Sequence, residues 1–198
     1  PAPTWQGRLE VDLRDQARQA RQAARQLALS TAVQRDAGLK AIALALEARR
    51  EEILAANRQD LEHAAELVAR GELAQPLVKR LDLGGSKFAA MVEMVRSVRG
   101  QADPLGRTLM ANELAQGLRL FRVSVPIGVI GVIFESRPDA LVQIACLCLK
   151  AGDAVLLKGG REAARTNQVL YEVIARATEE AGLPQGWIWL METREEVK

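Results

Sequence analysis

The chain has 198 residues, of which 48% are hydrophobic and 26% are charged, and its formal net charge is +2. This length allows one domain with a substantial core, or a part of a larger protein. The balanced charge and the 4% of aromatic residues do not favour nucleic acid as a partner. No run approaches about 18 apolar residues, and residues 1–7 do not begin a signal peptide. We therefore expect no membrane partner and a cytoplasmic location.

Residues 1–104 are rich in Ala, Gln, Arg and Leu and have helical periodicity. They predict helices over about 9–29, 31–56, 60–70, 74–81 and 86–99. The second of these opens with Thr31 and Gln34, at the spacing of a capping box. The first carries four arginines on one face, Arg14, Arg18, Arg21 and Arg25. That face is either a phosphate-attracting stripe or, as we favour, a solvated helix surface.

The pattern changes after a turn at Asp103–Gly106. Residues 107–125 predict two strands joined as a β-hairpin. Residues 126–198 then predict strands over 128–134, 154–158 and 187–191, separated by helices over 139–150 and 165–181. This βαβαβ order with short links predicts a parallel sheet. The apolar run at 128–134 is typical of a strand that is buried on both faces.

The chain end and the cysteines carry two further expectations. Thr193 and Glu196 have capping-box spacing, so a helix is expected to begin there and the parallel sheet to be incomplete. This favours a piece of a longer protein. Cys146 and Cys148 lie two residues apart in an apolar helix, and we expect them to pack as small buried hydrophobes. With one histidine, His63, the sequence offers no Cys/His metal set.

Two loops follow strands at the carboxyl edge of the predicted sheet, where open parallel sheets bind ligands. In Lys158–Glu162, a lysine, two glycines and the start of a helix suit a nucleotide ribose or phosphate. The alternative is a tight turn with a solvent-exposed lysine. In Phe134–Asp139, Arg137 could clamp a carboxylate or phosphate and Ser136 could donate a hydrogen bond. The alternative is that Ser136 caps the next helix and Arg137 pairs with Glu135 on the surface.

Residues 125–167 closely resemble the gamma-glutamyl phosphate reductases of the aldehyde dehydrogenase superfamily. The segments ESRP (135–138) and LLKGGREA (156–163) carry the resemblance, and weaker similarity extends over nearly the whole chain. It implies the aldehyde dehydrogenase fold, with residues 1–198 as the amino-terminal part of the cofactor-binding domain. It also implies reduction of L-glutamyl 5-phosphate by NADPH in proline biosynthesis. In that reaction a cysteine attacks the acyl phosphate, phosphate leaves, and hydride reduces the thioester.

The resemblance also assigns roles to individual residues. The expected cofactor-binding residues are Phe134, Glu135, Ser136, Lys158, Gly159, Gly160 and Glu162. Of these, Lys158 would bind the adenosine ribose, and its charge would suit the 2′-phosphate of NADPH. Arg137 is a candidate substrate residue, and Ser136 stands where general aldehyde dehydrogenases have an asparagine.

The family's nucleophilic cysteine is expected beyond residue 198, so the resemblance implies no catalytic residue in this chain, and from its residues we expect no metal site. The chain alone is expected to be inactive, and the hairpin is expected to join subunits of a homo-oligomer. Two other interpretations are open. One is a general aldehyde dehydrogenase, which the sequence FESRP disfavours, and the other is a non-catalytic module that binds a nucleotide or a partner subunit.

Overall fold

The structure is a computed structural model that describes residues 13–135 and 137–191. The elements are α1 (Leu13–Leu27), α2 (Ala32–Ala48), α3 (Arg50–Ala69), α4 (Gln75–Leu81), α5 (Lys87–Gly100), β1 (Thr108–Ala115), β2 (Leu118–Val123), β3 (Val129–Ile133), α6 (Pro138–Lys150), β4 (Ala154–Lys158), α7 (Ala164–Glu180) and β5 (Ile188–Leu190). A single 3₁₀ turn, Arg161–Ala163, precedes α7. The predicted α/β class is confirmed. The helix expected near Thr193 lies outside the described residues.

The predicted boundary between the second and third helices is wrong. One helix was expected to reach about residue 56 and another to begin at 60, whereas α2 ends at Ala48 and α3 runs unbroken from Arg50. The break falls at Arg49, whose φ of −101° and ψ of 17° are not helical. No glycine or proline marks this position. The break lets α2 bury Leu46 and α3 bury Ile53, each with no exposed surface.

The start of α2 follows the prediction in detail. The Gln34 amide donates to Thr31 Oγ1 at 3.2 Å, and the Thr31 amide donates to Gln34 Oε1 at 2.8 Å. Both members of the capping box are therefore present.

Strands β1 and β2 pair antiparallel, with Gly117 at a φ of +78° in the connecting turn. A positive φ of this size favours glycine because it has no Cβ. Every residue of both strands is exposed. The exposed apolar side chains include Leu114, Leu118, Leu120 and Phe121. The two strands pack mainly on each other, so the hairpin projects from the rest of the described chain.

The second sheet is parallel, with the order β3-β4-β5. Helix α1 packs on the sheet, and α6 and α7 connect its strands. Helix α2 packs on α6 and α7. Central strand β4 is largely buried, as predicted. The expectation that β3 is buried on both faces is wrong, because Gly131 and Ile133 are exposed. Among the described residues, β3 has a hydrogen-bonded neighbour on one side only.

The main core lies between this sheet and its helices. Its largest fully buried side chain is Trp187, whose indole Nε1 donates to Thr178 Oγ1 at 2.9 Å. This bond satisfies the polar group of a side chain that contributes a large apolar area. Over residues 13–135 and 137–191, no helix has both the length and the apolar character that a membrane crossing requires.

Candidate nucleotide site

The two predicted loops leave the parallel sheet side by side. Ile133, the last residue of β3, pairs with Lys158, the last residue of β4. The Phe134 amide then donates to the carbonyl of Lys158 at 3.0 Å, which ties the start of one loop to the other. Since parallel strands end at the same edge, this contact follows from the topology.

A cleft of about 560 Å³ lies between these loops, and we call it the β3–β4 cleft. It is lined by Leu73, Leu77, Ile133, Phe134, Glu135, Lys158, Gly159, Gly160, Arg161 and Glu162. Six of the seven residues expected to bind the cofactor therefore line one cleft. The seventh, Ser136, lies outside the described residues.

Gly159 is required at its position because the space around it is already filled. A Cβ built there would lie 2.3 Å from Asn167 Nδ2 and 3.2 Å from Phe134 Cζ. Both neighbours are well placed, since Asn167 is 2% exposed and Phe134 is packed against the core. Asn167 Oδ1 is buried without a hydrogen-bond partner in the described structure. The side chain of Asn167 thus packs against the loop Lys158–Glu162, which we call the glycine loop. Its Oδ1 can still accept a hydrogen bond.

A second cleft, of about 570 Å³, lies on the other side of the glycine loop, and we call it the β4–β5 cleft. It is lined by Lys158, Gly159, Gly160, Arg161, Ala164, Arg165, Asn167, Gln168, Leu190 and Met191. Three of these residues are cationic and none is acidic. The β3–β4 cleft, by contrast, includes the carboxylates of Glu135 and Glu162. The glycine loop therefore separates a mixed-charge cleft from a cationic one.

Lys158 is not the solvent-exposed lysine of the alternative interpretation. Its side chain is half-buried, and its Nζ donates to the carbonyl of Gly159 at 3.1 Å. It lines both clefts. Lys158 thus lies at the boundary between the two clefts.

Arg137 does not line either cleft. It pairs with Asp139, with Arg137 NH2 2.7 Å from Asp139 Oδ2, so the surface pair of the alternative interpretation exists with Asp139 in place of Glu135. The hydrogen bond from the Asp139 carboxylate raises the pKa of Arg137 above its usual value. The cap position of α6 falls on Arg137, whose side chain makes no capping hydrogen bond. The alternative of a cap at Ser136 concerns a residue outside the described ones.

The start of α7 differs from the sequence expectation, which had an open helix end facing the loop. The buried carboxylate of Asp60 in α3 accepts from the Thr166 amide at 2.8 Å and from Thr166 Oγ1 at 2.7 Å. The Arg165 amide also donates to Asp60, at 3.4 Å. The amides of Ala163 and Ala164 donate to backbone carbonyls. The four amides from 163 to 166 are therefore occupied within the protein.

A second buried residue of α3 connects this helix end to the segment after α4. Asn57 Nδ2 donates to the Leu81 carbonyl at 2.9 Å and to Thr166 Oγ1 at 3.3 Å. Its Oδ1 accepts from the Leu83 amide at 2.9 Å. Sequence reasoning missed Asn57, Asp60 and Asn167. The only feature of the local sequence that could have indicated them is a polar residue at a helical position where the pattern predicts an apolar one.

The two cysteines are free and buried, as expected. Burial raises the pKa of the Cys148 thiol to about 11, and it raises the pKa of Cys146 further. Neither thiol can form an appreciable amount of thiolate near neutral pH. Over the described residues, no three His, Cys, Asp or Glu side chains are arranged to hold a metal ion.

The parallel sheet and the two loops at its carboxyl edge are typical of α/β proteins that bind a ligand at this edge. The sequence model of the aldehyde dehydrogenase family matches residues 6–198, and the chain belongs to this family. More specifically, the chain is similar to gamma-glutamyl phosphate reductases. It is 56% identical over 178 residues to the enzyme of Natronomonas pharaonis, covering 90% of this chain and 40% of the relative. It is 46% identical over 187 residues to that of Acetivibrio thermocellus, covering 94% and 42%.

Solved structures agree with the sequence relatives. The gamma-glutamyl phosphate reductase of Saccharomyces cerevisiae matches with a TM-score of 0.85 and 38% identity, over 92% of this chain and 46% of that one. The one from Thermotoga maritima matches with a TM-score of 0.85 and 37% identity, over 92% and 43%. The chain spans about 40% of the length of the curated relatives named above.

Proposed function

We propose that this chain is the amino-terminal, cofactor-binding part of a gamma-glutamyl phosphate reductase. That enzyme would act in the cytoplasm in proline biosynthesis, reducing L-glutamyl 5-phosphate with NADPH to L-glutamate 5-semialdehyde and phosphate. The observation that carries the proposal is the meeting of the ESRP and LLKGGREA loops at one edge of the sheet, in a chain 56% identical to such a reductase over 178 residues.

The residues at this edge suit a dinucleotide. Each cleft has a volume of about 560 to 570 Å³, within the range of roughly 300–1,000 Å³ that is typical of small-molecule sites. Gly159 and Gly160 lie between the clefts, where a Cβ would meet Asn167 or the Glu162 carboxylate, so two residues without side chains keep this loop compact. In this proposal Lys158 binds the ribose, Phe134 and Glu135 line the side toward the pyrophosphate and nicotinamide, and Glu162 shapes the pocket.

When bound, the cofactor would supply the hydride, while the residues of this chain bind and orient it. The covalent step needs a reactive cysteine, which this chain does not provide. Its only two cysteines have raised pKa values inside the core. The nucleophile would therefore belong to another part of the whole enzyme. We expect these 198 residues alone not to form NADPH from pyrroline-5-carboxylate, phosphate and NADP⁺, and turnover in that mixture would contradict this division of roles.

The test of the cofactor site is a binding titration of NADPH, followed by energy transfer from tryptophan to the nicotinamide. Trp187 directly precedes β5 and Trp189 lies within it, and both serve as donors. The parent chain should bind NADPH. Gly159→Ala should weaken binding by about tenfold or more, because its Cβ displaces Asn167 or the loop.

A matched control is Gly100→Ala at the end of α5. Its Cβ would meet no atom within 4 Å, and the backbone there does not need glycine. This variant should bind NADPH as the parent does, and circular dichroism should show that both variants are folded. A parent chain that binds no NADPH, or a Gly159→Ala chain that binds it unchanged, would contradict the proposed cofactor site.

We further propose that the β1–β2 hairpin joins subunits of a homo-oligomer. Its exposed apolar side chains, such as Leu118 and Phe121 at 58% and 55% exposure, form a surface of the kind that mediates protein association. The open row of backbone groups along each outer strand edge supports the same role. A non-catalytic module that binds only a partner subunit would use this surface as well, and the cofactor titration discriminates that alternative from the reductase part.

A further inference from the structure

The β1–β2 hairpin leaves the core through two connecting segments, residues 101–107 and 124–128. Every residue of its strands is exposed, and the strands pack mainly on each other. The direction of the hairpin must therefore be fixed at its base, because a two-stranded hairpin without other contacts is only marginally stable in water. There the Gly106 amide donates to the Ser124 carbonyl at 3.0 Å, and the Ser124 amide donates to the Arg107 carbonyl at 3.0 Å. These bonds join the two segments to each other but not to the core.

A buried ion pair joins the first segment to the core. Arg35, near the start of α2, is 2% exposed, and its NH2 group donates to Oδ1 and Oδ2 of Asp103 at 2.8 Å each. The NH1 group of Arg35 donates to the carbonyl and the Oγ of Ser30. The Leu105 amide donates to Asp103 Oδ1 at 3.1 Å. Asp103 thus connects α2 to the turn that leads directly into β1.

A second ion pair fixes the point from which this segment starts. Lys150, at the end of α6, is 4% exposed, and its Nζ donates to Asp36 Oδ1 at 2.7 Å and to the Arg99 carbonyl at 3.0 Å. These bonds hold the end of α5 against α2 and α6. In the described structure this pair joins helices to one another, whereas the pair of Arg35 and Asp103 joins a helix to the base of the hairpin.

Two other contacts at the base constrain the hairpin less. Leu105 lies beside Gly152, which follows α6, but apolar packing is not directional. The Gly128 amide donates to the buried carboxylate of Asp153 at 2.7 Å, but Gly128 lies next to β3, at the far end of the second segment. The ion pair is therefore the directional contact with the core that lies nearest to β1.

We propose that the ion pair of Arg35 and Asp103 sets the direction of the hairpin, and thereby the geometry in which two copies of this chain associate. This inference rests on the proposed role of the hairpin and goes beyond it, since it names the residues that position the associating surface. A buried ion pair contributes little net stability, because desolvation offsets the attraction between the charges, but its hydrogen bonds require one geometry. A hairpin that is already held in its bound orientation associates more tightly, because less freedom is lost on binding.

Distances between two spin labels measure the direction of the hairpin. One label is attached at Asn112→Cys in β1 and the other at Lys40→Cys in α2, both exposed positions, and the labelled chain is diluted with unlabelled chain. The native cysteines are buried and should remain unlabelled. The parent should give one narrow distance distribution, and Asp103→Asn should broaden it. Light scattering over a range of concentrations should show that Asp103→Asn also weakens subunit association by about tenfold or more.

A double variant separates the position of the hairpin from the stability of the chain. Arg35→Met with Asp103→Leu replaces both charges by apolar side chains, a change that is often neutral for stability. Urea unfolding should then give a free energy of unfolding near that of the parent, while the distances remain broad and association remains weak. The matched control is Asp36→Asn, which weakens the ion pair with Lys150. It should lower stability but keep the distances and the association of the parent.

The outcomes separate this inference from the proposed role of the hairpin. If Asp103→Asn and the double variant keep narrow distances, or broaden them without weakening association, the inference is wrong while the role of the hairpin stands. If Asp36→Asn broadens the distances as much as Asp103→Asn does, the effect belongs to the whole charged region and the inference is again wrong. If the parent is monomeric, or if Leu120→Lys leaves its mass unchanged, association through the hairpin fails and the inference fails with it.

Discussion

Asp60 provides the sharpest test of how the nucleotide site is supported. Its carboxylate is 1% exposed and accepts hydrogen bonds from the amide and hydroxyl of Thr166 at 2.8 and 2.7 Å. It joins α3 to the start of α7, which follows directly after the loop that separates the two clefts. The substitution Asp60→Ala removes the acceptor and leaves two donors buried.

The expected cost follows from these contacts. A hydrogen bond to a charged group contributes about 1.5–3 kcal/mol, and a buried donor without a partner costs about 1–3 kcal/mol. Because these effects overlap at one residue, we expect Asp60→Ala to lower the free energy of unfolding by about 4 kcal/mol. For a chain of this size, 1 kcal/mol corresponds to a shift of about 2–4 °C, so Tm should fall by roughly 8–16 °C. Asp60→Asn keeps one acceptor oxygen and should cost about half as much.

Urea unfolding followed by circular dichroism measures this difference in the free energy of unfolding. The matched control is Glu62→Ala, an exposed carboxylate on the same helix, which should change stability by no more than about 0.5 kcal/mol. An Asp60→Ala chain within about 1 kcal/mol of the parent would show that this buried contact does not hold α7 in place.

Three further predictions concern other parts of the chain. Burial raises the pKa of Asp103, but hydrogen bonds from Leu105 and Arg35 lower it more, so its net pKa is lowered. Stability should therefore decrease as the pH falls below about 4, and Asp103→Asn should flatten this dependence in urea titrations at several pH values. Cys148, with a pKa of about 11, and the more deeply buried Cys146 should not react with Ellman's reagent in the folded chain near pH 8, but both should react in guanidinium chloride. Leu120→Lys should lower the mass measured by light scattering if the hairpin joins subunits, whereas Leu44→Lys, a control on α2, should not; an unchanged mass for Leu120→Lys would contradict that role.

The parts of the fold that the sequence predicts are those determined by local patterns. The alternation of apolar runs with glycine-bounded links specifies β4 and α7, and the Thr31–Gln34 spacing specifies the start of α2. Once the strands are parallel, the meeting of the two loops follows from topology alone. The helix break at Arg49 is not predictable in this way, because it depends on how α2 and α3 pack rather than on a breaking residue.

The residues that support the site could not be predicted from the sequence, for a related reason. Asp60 and Thr166 are 106 residues apart, and no pattern within either helix indicates that the two residues meet. In one of the two interpretations of the local sequence, the positive end of the helix after the glycine loop faces a ribose or phosphate. In the structure, the buried carboxylate of Asp60 lies at that helix end instead. This contact joins two residues that are far apart in the sequence.

The occupation of this helix end by Asp60 affects how the site distinguishes the phosphates of a dinucleotide. An open helix end binds phosphates through backbone amides, which every sequence can provide, so it discriminates poorly between the phosphates of a dinucleotide. When Asp60 occupies that end, anion binding at the β4–β5 cleft passes to side chains, and one substitution can then change it. Asp60→Ala should therefore reduce stability and weaken NADPH binding together, whereas Lys158→Ala should weaken NADPH binding with little effect on stability, since the only bond that Lys158 Nζ makes within the described residues is to the neighbouring Gly159 carbonyl.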